Sequence, residues 1–598
     1  MRSQSNGSAG PDRSREDSVP GAPARGLGDR RSRLLPLAAV LCVAGLCGSL
    51  RAEEPAAEPT APAPAAAAAM EEEPAALQRP QRPSRLLTRI RDGKPVTLVG
   101  YGDSITYGQG VSDAPAESYL NVWARGLRQF FGPDRIRLVN LSDPGVVSWY
   151  ALKFIESHVA AEDPDLVILQ FGGNDSREKV QVDTFCWSVE QMVVRLRATT
   201  AAEVVLVVPP MLDKSSDLQI IDALWRLGKK QRVPVADFDR ALRDQERDHR
   251  GLFPMGGHPN AYSHKVMARE LQRACAPLFG LQTPLSVDLR NQTWVALVGQ
   301  PVTLSAEVGN DTETQTTAKM SLELSQPWGK SLAKELPVAP GKLARVELTA
   351  PVPELTDRAT QFRLWAYAGA QDGFAFDQKW AIFAPLIACR TAADKGEAAA
   401  PDLRLGKAAI ASGLEEWQGP EDLSADVRLS LTETSLRVSI RVFDDLLVRD
   451  YQQEVPDNDC VEVYFDTRPE ADQGKLLYSP DTVLVFLKPP TPAQPDPALV
   501  PLSGLPPKFD GIALTGQRER DGYSLQLDVP RSAFLGPDAK LLPRFGFDVA
   551  LDDCDEPGWR QTQMIWAGYR DNYLDPSRFG VVQLTGEVPP GARRLTVR

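Results

Sequence analysis

The feature that most constrains the fold is a series of short, almost wholly apolar segments between residues 94 and 281. Residues 96–99, 166–171 and 204–208 are such segments, and helix-like stretches such as 118–131, 148–161 and 261–275 lie among them. Strands that are apolar on both faces are typical of a parallel sheet covered by helices. The pattern predicts a three-layer α/β domain with a parallel sheet.

Downstream, the hydrophobic pattern changes to strict alternation. Residues 302–308, 320–324, 344–348 and 362–367 alternate with period two, and turn residues separate them. This pattern predicts an antiparallel β-sandwich of immunoglobulin type. A second group, which includes residues 435–442, 460–465, 524–529 and 545–551, predicts another β-sandwich, so the 598 residues form a multidomain chain.

The N-terminal region has the features of a targeting segment. Arg30, Arg31 and Arg33 precede an apolar run at 34–50. An uncleaved membrane anchor is the alternative, but the run is short for a membrane span and contains two glycines. We therefore expect a signal peptide, a secreted, periplasmic or cell-envelope location, and no stable membrane insertion after processing.

Five segments follow from these patterns. They are a signal peptide at 1–52, a disordered linker rich in Ala, Pro and Glu at 53–93, the α/β domain at 94–282, the immunoglobulin-like sandwich at 283–390, and a second sandwich at 391–598. The formal net charge of −12 argues against a nucleic-acid-binding protein, which usually carries a basic face.

Short blocks of polar and glycine residues follow the first three predicted strands, and another precedes the last predicted helix. They are Gly102-Asp103-Ser104, residues 140–145 ending in Gly145, Gly172-Gly173-Asn174-Asp175, and residues 256–260 around His258. Loops at the carboxyl ends of parallel strands are where α/β proteins place their sites. Acyl transfer by a serine needs a base and donors for the oxyanion, and these blocks supply both.

Taken in order, the blocks resemble those of the SGNH (GDSL-type) hydrolase family over about residues 94–281. The resemblance implies a flavodoxin-like fold with Ser104 as nucleophile and His258 as general base and then general acid. It also implies an oxyanion hole made of the backbone N–H groups of Ser104 and Gly145 and the side chain of Asn174. No metal or nucleotide cofactor is expected for the chemistry.

One position departs from the family pattern. The family usually has an Asp three residues before the His, where this chain has Met255. Such an acid orients the imidazole and stabilises its protonated form. Either a backbone carbonyl or another carboxylate (Asp248 or Asp237) replaces it, or catalysis is weak, or the domain is degenerate.

The C-terminal region is similar to family 9 carbohydrate-binding modules. The similarity rests on Asp444-Asp445, residues 457–466, and residues 545–553 with the Trp566 and 578–580 stretch that follows. Because sugar C–H faces pack on aromatic rings, Trp417, Trp559 and Trp566 are candidate sugar contacts, although Trp417 and Trp566 fit a core role equally well. The acidic pairs are either structural Ca²⁺ ligands or solvated turn residues, and the sequence slightly favours solvated turns.

These observations predict an exported serine esterase that removes O-acetyl or similar groups from a polysaccharide or acylated sugar. The alternative suggested by Met255 is a non-catalytic polysaccharide-binding or surface protein with a degenerate hydrolase domain. An esterase or lipase acting on lipid-like acyl chains is a third hypothesis, against which no long hydrophobic lid is visible near the four blocks.

Overall fold

Five parallel strands form the sheet of the first domain in a computed structural model that describes residues 84–211, 215–244, 258–391, 401–449, 455–470, 472–473, 478–556, 558–573 and 575–598. They are β1 (Val96–Gly102), β2 (Ile136–Asn140), β3 (Leu166–Gln170), β4 (Glu203–Val208) and β5 (Val235–Asp237). The strand order is β2-β1-β3-β4-β5, which is the flavodoxin-like order. The predicted fold class of this domain is therefore confirmed.

Helices cover both faces of this sheet. They are α1 (Arg85–Arg91), α2 (Ser104–Tyr107), α3 (Ala114–Glu117), α4 (Tyr119–Phe131), α5 (Ser148–Ala151), α6 (Gly173–Arg177), α7 (Val182–Thr199), α8 (Ser215–Gln231), α9 (Phe238–Arg243) and α10 (Ala261–Cys275). One hydrophobic core includes α4 and α10, and another includes α7 and α8. The two cores enclose the sheet between them, as expected for three layers.

The segment predicted as one helix over 148–161 differs in the structure. Only α5 is α-helical, and it continues through 3₁₀ turns and a π-helical turn at Ile155–Val159. Ala151, Leu152, Ile155 and Val159 are all buried along this path. The irregular winding keeps these four apolar side chains on the core.

The predicted linker at 53–93 extends too far. Residues 85–91 form α1, whose Leu86 is fully buried in the hydrolase core. Arg85 Nε donates a hydrogen bond to Asp165 Oδ1 at 2.7 Å, which ties the helix to the loop before β3. This helix therefore belongs to the α/β domain, because its packing offsets the cost of ordering it.

Two sheets form the immunoglobulin-like sandwich. Its strands are β6 (Leu285–Leu289), β7 (Gln292–Ala296), β8 (Pro301–Asn310), β9 (Thr316–Leu324), β10 (Ser331–Val338), β11 (Leu343–Pro351), β12 (Thr360–Gly369) and β13 (Phe374–Ala388). One sheet has the order β11-β8-β6, and the other contains β10-β9-β12-β13. Apolar side chains from both inner faces form its core, as the alternating pattern predicted.

The strands from β14 onward form the second sandwich, except for the last one. They are β14 (Arg390–Thr391), β15 (Leu403–Leu405), β16 (Ile410–Ser412), β17 (Leu423–Leu431), β18 (Ser435–Asp444), β19 (Cys460–Asp466), β20 (Thr482–Lys488), β21 (Ala498–Pro501), β22 (Ala513–Glu519), β23 (Gly522–Pro530), β24 (Arg544–Asp553), β25 (Thr562–Ile565), β26 (Gly580–Gln583) and β27 (Arg593–Val597). One of its sheets has the order β14-β17-β18-β23-β22, and the facing sheet contains β26-β24-β19-β20-β21.

The two sandwiches are less separate than the predicted boundary at 390/391 implies. β13 pairs in parallel with β26, so one sheet runs from the first sandwich into the second. β27 returns to the first sandwich, where it lies between β13 and β7. Residues 593–597 therefore belong to the immunoglobulin-like sheet, which corrects the predicted extent of the last domain. The alternation of apolar and polar residues within a strand does not predict which distant strand it pairs with.

The predicted signal peptide and the linker up to residue 83 lie outside the described residues. Within the described ranges, none of the helices has the length and apolar character needed to cross a membrane.

A buried ion cluster joins the α/β domain to the first sandwich. Asp377 of β13 is fully buried, and its Oδ1 lies 3.1 Å from both Lys265 Nζ and Arg269 Nη2 of α10. Its Oδ2 accepts a hydrogen bond from Leu289 N at 2.8 Å. Burial would raise the pKa of Asp377, but the neighbouring cations (Lys265, Arg269 and Lys379) outweigh burial and lower it. The carboxylate is therefore ionised, and it fixes α10 to the sandwich.

We expect Asp377→Asn to destabilise the protein by about 3–5 kcal/mol, because it leaves the buried Lys265 ammonium without its counter-charge. Urea-induced unfolding of residues 84–598 measures the effect. The matched control is Asp222→Asn, because the Asp222 carboxylate and its ion-pair partner Arg226 are both exposed on the surface. Its loss should cost less than about 1 kcal/mol. Equal effects of the two substitutions would contradict the assigned role of Asp377.

Candidate active site

Ser104 lies at the carboxyl edge of the sheet, as the first residue of α2. Asp103 caps this helix, since its side chain accepts a hydrogen bond from Ile105 N at 2.9 Å. Gly102 makes the tight turn feasible, because a Cβ there would lie 2.6 Å from the carbonyl oxygen of Gln170. Burial raises the pKa of Asp103 to about 6, although the hydrogen bond from Ile105 N acts to lower it.

The structure brings His258 to Ser104. The distance from His258 Nε2 to Ser104 Oγ is 2.9 Å, which is a hydrogen-bond distance. His258 lies just before α10, and Asn260 caps that helix by accepting a hydrogen bond from Ser263 N at 3.0 Å. The two residues that the sequence places 154 positions apart form the dyad geometry that a serine nucleophile requires.

Gly110 packs directly against the His258 loop. A Cβ at Gly110 would lie 2.3 Å from Pro259 O and 3.0 Å from His258 Cβ. Its φ of +104° is also in the left-handed region that favours glycine. The loop after α2 therefore supports the backbone of His258 at close range.

His264 is a buried residue and His158 is an exposed one. His264 is fully buried, and its Nδ1 accepts a hydrogen bond from Tyr119 N at 3.1 Å. Burial lowers the pKa of His264 to about 3, so the imidazole is neutral and serves as a packing residue and acceptor. His158 is exposed to solvent, and His249 lies outside the described residues.

Asn174 and Gly145 lie next to each other in two neighbouring loops. Asn174, in α6, donates a hydrogen bond from Nδ2 to Val146 O at 3.0 Å and keeps a second Nδ2 hydrogen for a ligand. Gly145 has a φ of +82°, and the space next to its Cα is open to 4 Å. The Ser104 N–H is at the start of a helix, where such groups have no intrahelical partner. These are the donor types that an oxyanion hole uses.

Asp175 is a site residue that the sequence analysis did not assign. Its Oδ1 accepts hydrogen bonds from Ser148 Oγ at 2.6 Å and Ser148 N at 3.1 Å. Burial raises the pKa of Asp175, while the bonds from Ser148 lower it. Asn174 and Asp175 together hold the loop that contains Gly145. The sequence signal that could have identified Asp175 is an acidic residue in a glycine loop that follows an almost wholly apolar strand.

Of the residues considered for the missing acid, only Asp237 lies within the described residues. Met255 and Asp248 lie outside them. Asp237 is engaged elsewhere, because its Oδ2 accepts a hydrogen bond from Trp225 Nε1 at 3.0 Å and its Oδ1 caps α9 by accepting one from Arg240 N at 2.9 Å. These bonds give Asp237 a structural role.

The three candidate tryptophans of the second sandwich have different positions. Trp417 and Trp566 pack against its core, and Trp417 Nε1 donates a hydrogen bond to Leu423 O at 3.0 Å. Trp559 is 54% exposed and lines a cavity of about 350 Å³ together with Arg560 and Arg570. The structure therefore gives Trp417 and Trp566 the core role and leaves Trp559 as the accessible aromatic face.

The acidic stretches of the second sandwich contain buried carboxylates at Asp444, Asp459 and Asp553, so the prediction of solvated turns is wrong for these three residues. Oxygens of Asp444, Asp459 and Asp553 lie within 4.8 Å of one another, and Asp422, Asp553 and Asp555 form a similar group. Burial and the neighbouring carboxylates raise the pKa of Asp444 to about 7 and that of Asp553 to about 8. Sequence shows that a residue is acidic but not whether it is buried. Clustered carboxylate oxygens are the ligands that Ca²⁺ prefers.

We expect calcium to stabilise the second sandwich in a pH-dependent way. The unfolded carboxylates have a pKa near 3.9, so the folded, metal-free cluster binds more protons and its stability falls as pH rises from about 4 to about 8. A bound cation offsets the repulsion and should remove this dependence. Thermal unfolding with EDTA or with Ca²⁺ at pH 5 and pH 8 measures both effects, and a Ca²⁺ excess of 100-fold over Kd should add about 2.7 kcal/mol.

The matched variants for this experiment are Asp553→Asn and Asp538→Asn. Asp553 is shared by both carboxylate groups, whereas Asp538 is paired with Lys540 on the surface. Only Asp553→Asn should reduce the stabilisation by Ca²⁺. An equal response of the two variants, or no response of the parent protein to Ca²⁺, would rule out a cation site.

Solved structures are similar to about 30% of this chain. The acetylxylan esterase Axe2 from Geobacillus stearothermophilus is 17% identical, and the match covers 30% of this chain and 93% of that one with a TM-score of 0.27. LAE5, an alpha/beta hydrolase enzyme from the metagenome of Lake Arreo, Spain, is 20% identical, and the match covers 30% of this chain and 94% of that one with a TM-score of 0.27. No curated protein matches the sequence.

Two family models match separate parts of the chain. The model of the GDSL-like lipase/acylhydrolase family matches residues 101–266, which include Ser104, Gly145, Asn174 and His258. The model of the carbohydrate family 9 binding domain-like group matches residues 405–587. The chain is thus an ester-bond hydrolase in which residues 101–266 are a GDSL-like lipase/acylhydrolase domain and residues 405–587 a carbohydrate family 9 binding domain-like module.

Proposed function

We propose that the protein is an exported serine esterase that removes O-acetyl or similar acyl groups from a polysaccharide through Ser104 and His258. The observation that carries the proposal is the 2.9 Å distance between His258 Nε2 and Ser104 Oγ in a domain of the acylhydrolase family. A base at hydrogen-bond distance from a serine is what converts its hydroxyl into a nucleophile.

In the first half of the reaction, Ser104 Oγ attacks the ester carbonyl while His258 Nε2 takes its proton. The oxygen of the tetrahedral intermediate becomes negatively charged. The N–H groups of Ser104 and Gly145 and the second Nδ2 hydrogen of Asn174 would donate to it. The hydrogen bond between Asn174 and Val146 supports this arrangement, because it fixes these donors before the substrate binds.

The intermediate then collapses and releases the sugar. His258 gives its proton to the leaving alkoxide, and an acyl group remains on Ser104 Oγ. A water molecule then attacks the acyl-enzyme with His258 again as base, which returns the free serine and the carboxylic acid.

The polysaccharide substrate is proposed from the second family match. A carbohydrate-binding domain on the same chain raises the local concentration of its sugar around the catalytic domain. The exposed face of Trp559 beside a polar cavity supports sugar binding, because sugar C–H faces pack on aromatic rings. Export rests on the sequence of residues 1–52 alone.

We expect Ser104→Ala to lower hydrolysis of p-nitrophenyl acetate and acetylated xylan by about 10⁴-fold or more, because the nucleophile is lost. Release of nitrophenol and of acetate measures the two rates. The control is Ser157→Ala, which changes an exposed serine of the same domain. Equal rates for Ser104→Ala and the parent protein would favour the alternative, a non-catalytic polysaccharide-binding protein with a degenerate hydrolase domain.

Gly110→Ala should lower kcat/KM for p-nitrophenyl acetate by about 100-fold, because the new methyl group displaces the His258 loop and misplaces the base. The effect is measured at saturating and limiting substrate, so that kcat and KM are obtained separately. Gly341→Ala is the matched control, since Gly341 also has a positive φ of 63° but no atom within 4 Å of the added carbon. If both variants lose activity equally, backbone strain rather than the His258 contact is responsible.

A further inference from the structure

A row of aromatic side chains, exposed except for the half-buried Phe154, follows the Gly145 loop in the α/β domain. We define it as the aromatic ridge: Trp149, Tyr150, Phe154 and His158. The rings of Trp149 and Tyr150 are in edge contact with centroids 6.0 Å apart, and those of Tyr150 and Phe154 are 5.3 Å apart. The rings of Phe154 and His158 are stacked at 5.1 Å. The four rings therefore form a continuous surface rather than isolated side chains.

The ridge is not needed for packing of the hydrophobic core. The same segment already contributes its core contacts through Ala151, Leu152, Ile155 and Val159. Trp149 and Tyr150 are each 43% exposed on the opposite side. Large aromatic side chains grouped on a surface mark a binding site more often than single exposed ones do.

Lys153 holds the outer rings of the ridge in place. Its Nζ lies 4.8 Å from the centroid of Trp149 and 5.1 Å from that of Tyr150. A cation at this distance is attracted to the ring faces and limits the rotamers of both side chains. Rings that are fixed before binding lose less entropy when a ligand packs on them.

The ridge begins next to the oxyanion donors. Val146 O accepts the hydrogen bond from Asn174 Nδ2, and Ser148, which precedes Trp149, is held by Asp175. Trp149 is three residues beyond Val146, a separation of at most about 11 Å between the two Cα atoms. The aromatic ridge therefore begins close to the proposed oxyanion donors.

We propose that the aromatic ridge binds the sugar rings that adjoin the acylated residue of the polysaccharide, with Trp149 as the main stacking face. This inference rests on the proposed function. A neutral sugar chain fits the surface because aromatic faces pack against sugar C–H groups, and the Lys153 ammonium can donate to hydroxyl oxygens. The ridge then selects long acylated glycans over small esters in the catalytic domain itself, independently of the C-terminal module.

The test measures binding without turnover. Acetylated xylohexaose is titrated into the full chain in a calorimeter. The chain carries Ser104→Ala, which removes catalysis, and Trp559→Ala, which removes the exposed tryptophan of the module. Adding Trp149→Ala should raise Kd roughly three- to tenfold, the size expected for one aromatic contact. Trp149→Phe keeps an aromatic face and should raise Kd by less than about twofold.

The control is Trp187→Ala, which removes another exposed tryptophan, from α7 of the same domain, and should leave Kd unchanged. Kinetics in the Trp559→Ala protein add a second readout. Trp149→Ala should raise KM for acetylated xylohexaose more than for an acetylated methyl xyloside. An unchanged Kd with Trp149→Ala, or equal losses on both substrates, would overturn the proposal. Failure of the proposed function would show separately, as an equal p-nitrophenyl acetate rate with and without Ser104→Ala.

Discussion

The interaction on which the rest of the structure depends is the buried contact between Asp377 and the cations of α10. α10 begins three residues after His258, so the helix that sets the position of the base is fixed by a carboxylate from another domain. Removal of either partner would leave an uncompensated charge in a low-dielectric interior, which strongly destabilises a protein. The immunoglobulin-like sandwich is therefore part of the framework of the active site and not a spacer between catalytic and sugar-binding modules.

The sequence was sufficient to predict the elements around the site. The apolar strands predicted the parallel sheet. The polar and glycine blocks that follow these strands predicted Ser104, Gly145 and Asn174 as site residues, because the carboxyl ends of parallel strands lie at one edge of the sheet. The contact between Ser104 and His258 could be expected only because the sequence blocks occur in the same order as in SGNH hydrolases. Asp175 was missed because its partner, Ser148, lies 27 residues away and no local pattern links them.

The errors share one physical cause, which is that burial depends on distant parts of the chain. The predicted linker includes residues 85–91 because the residues before them are rich in Ala, Pro and Glu, yet Leu86 of this helix is buried in the core. Asp444, Asp459 and Asp553 look like turn residues in sequence, but strands from separate regions enclose them. The return of β27 to the first sandwich likewise depends on pairing across nearly 300 residues.

The position of β27 between β13 and β7 makes the second sandwich, in topological terms, an insertion into the first. An inserted domain is attached to its host at two points, which restrict its rotation far more than a single linker does. The module that matches the carbohydrate family 9 binding domain-like model is thus held to its host in a restricted orientation. The arrangement also sets an order for folding during synthesis. The immunoglobulin-like sheet cannot close until residue 597 has left the ribosome, by which time the whole inserted module is available to fold.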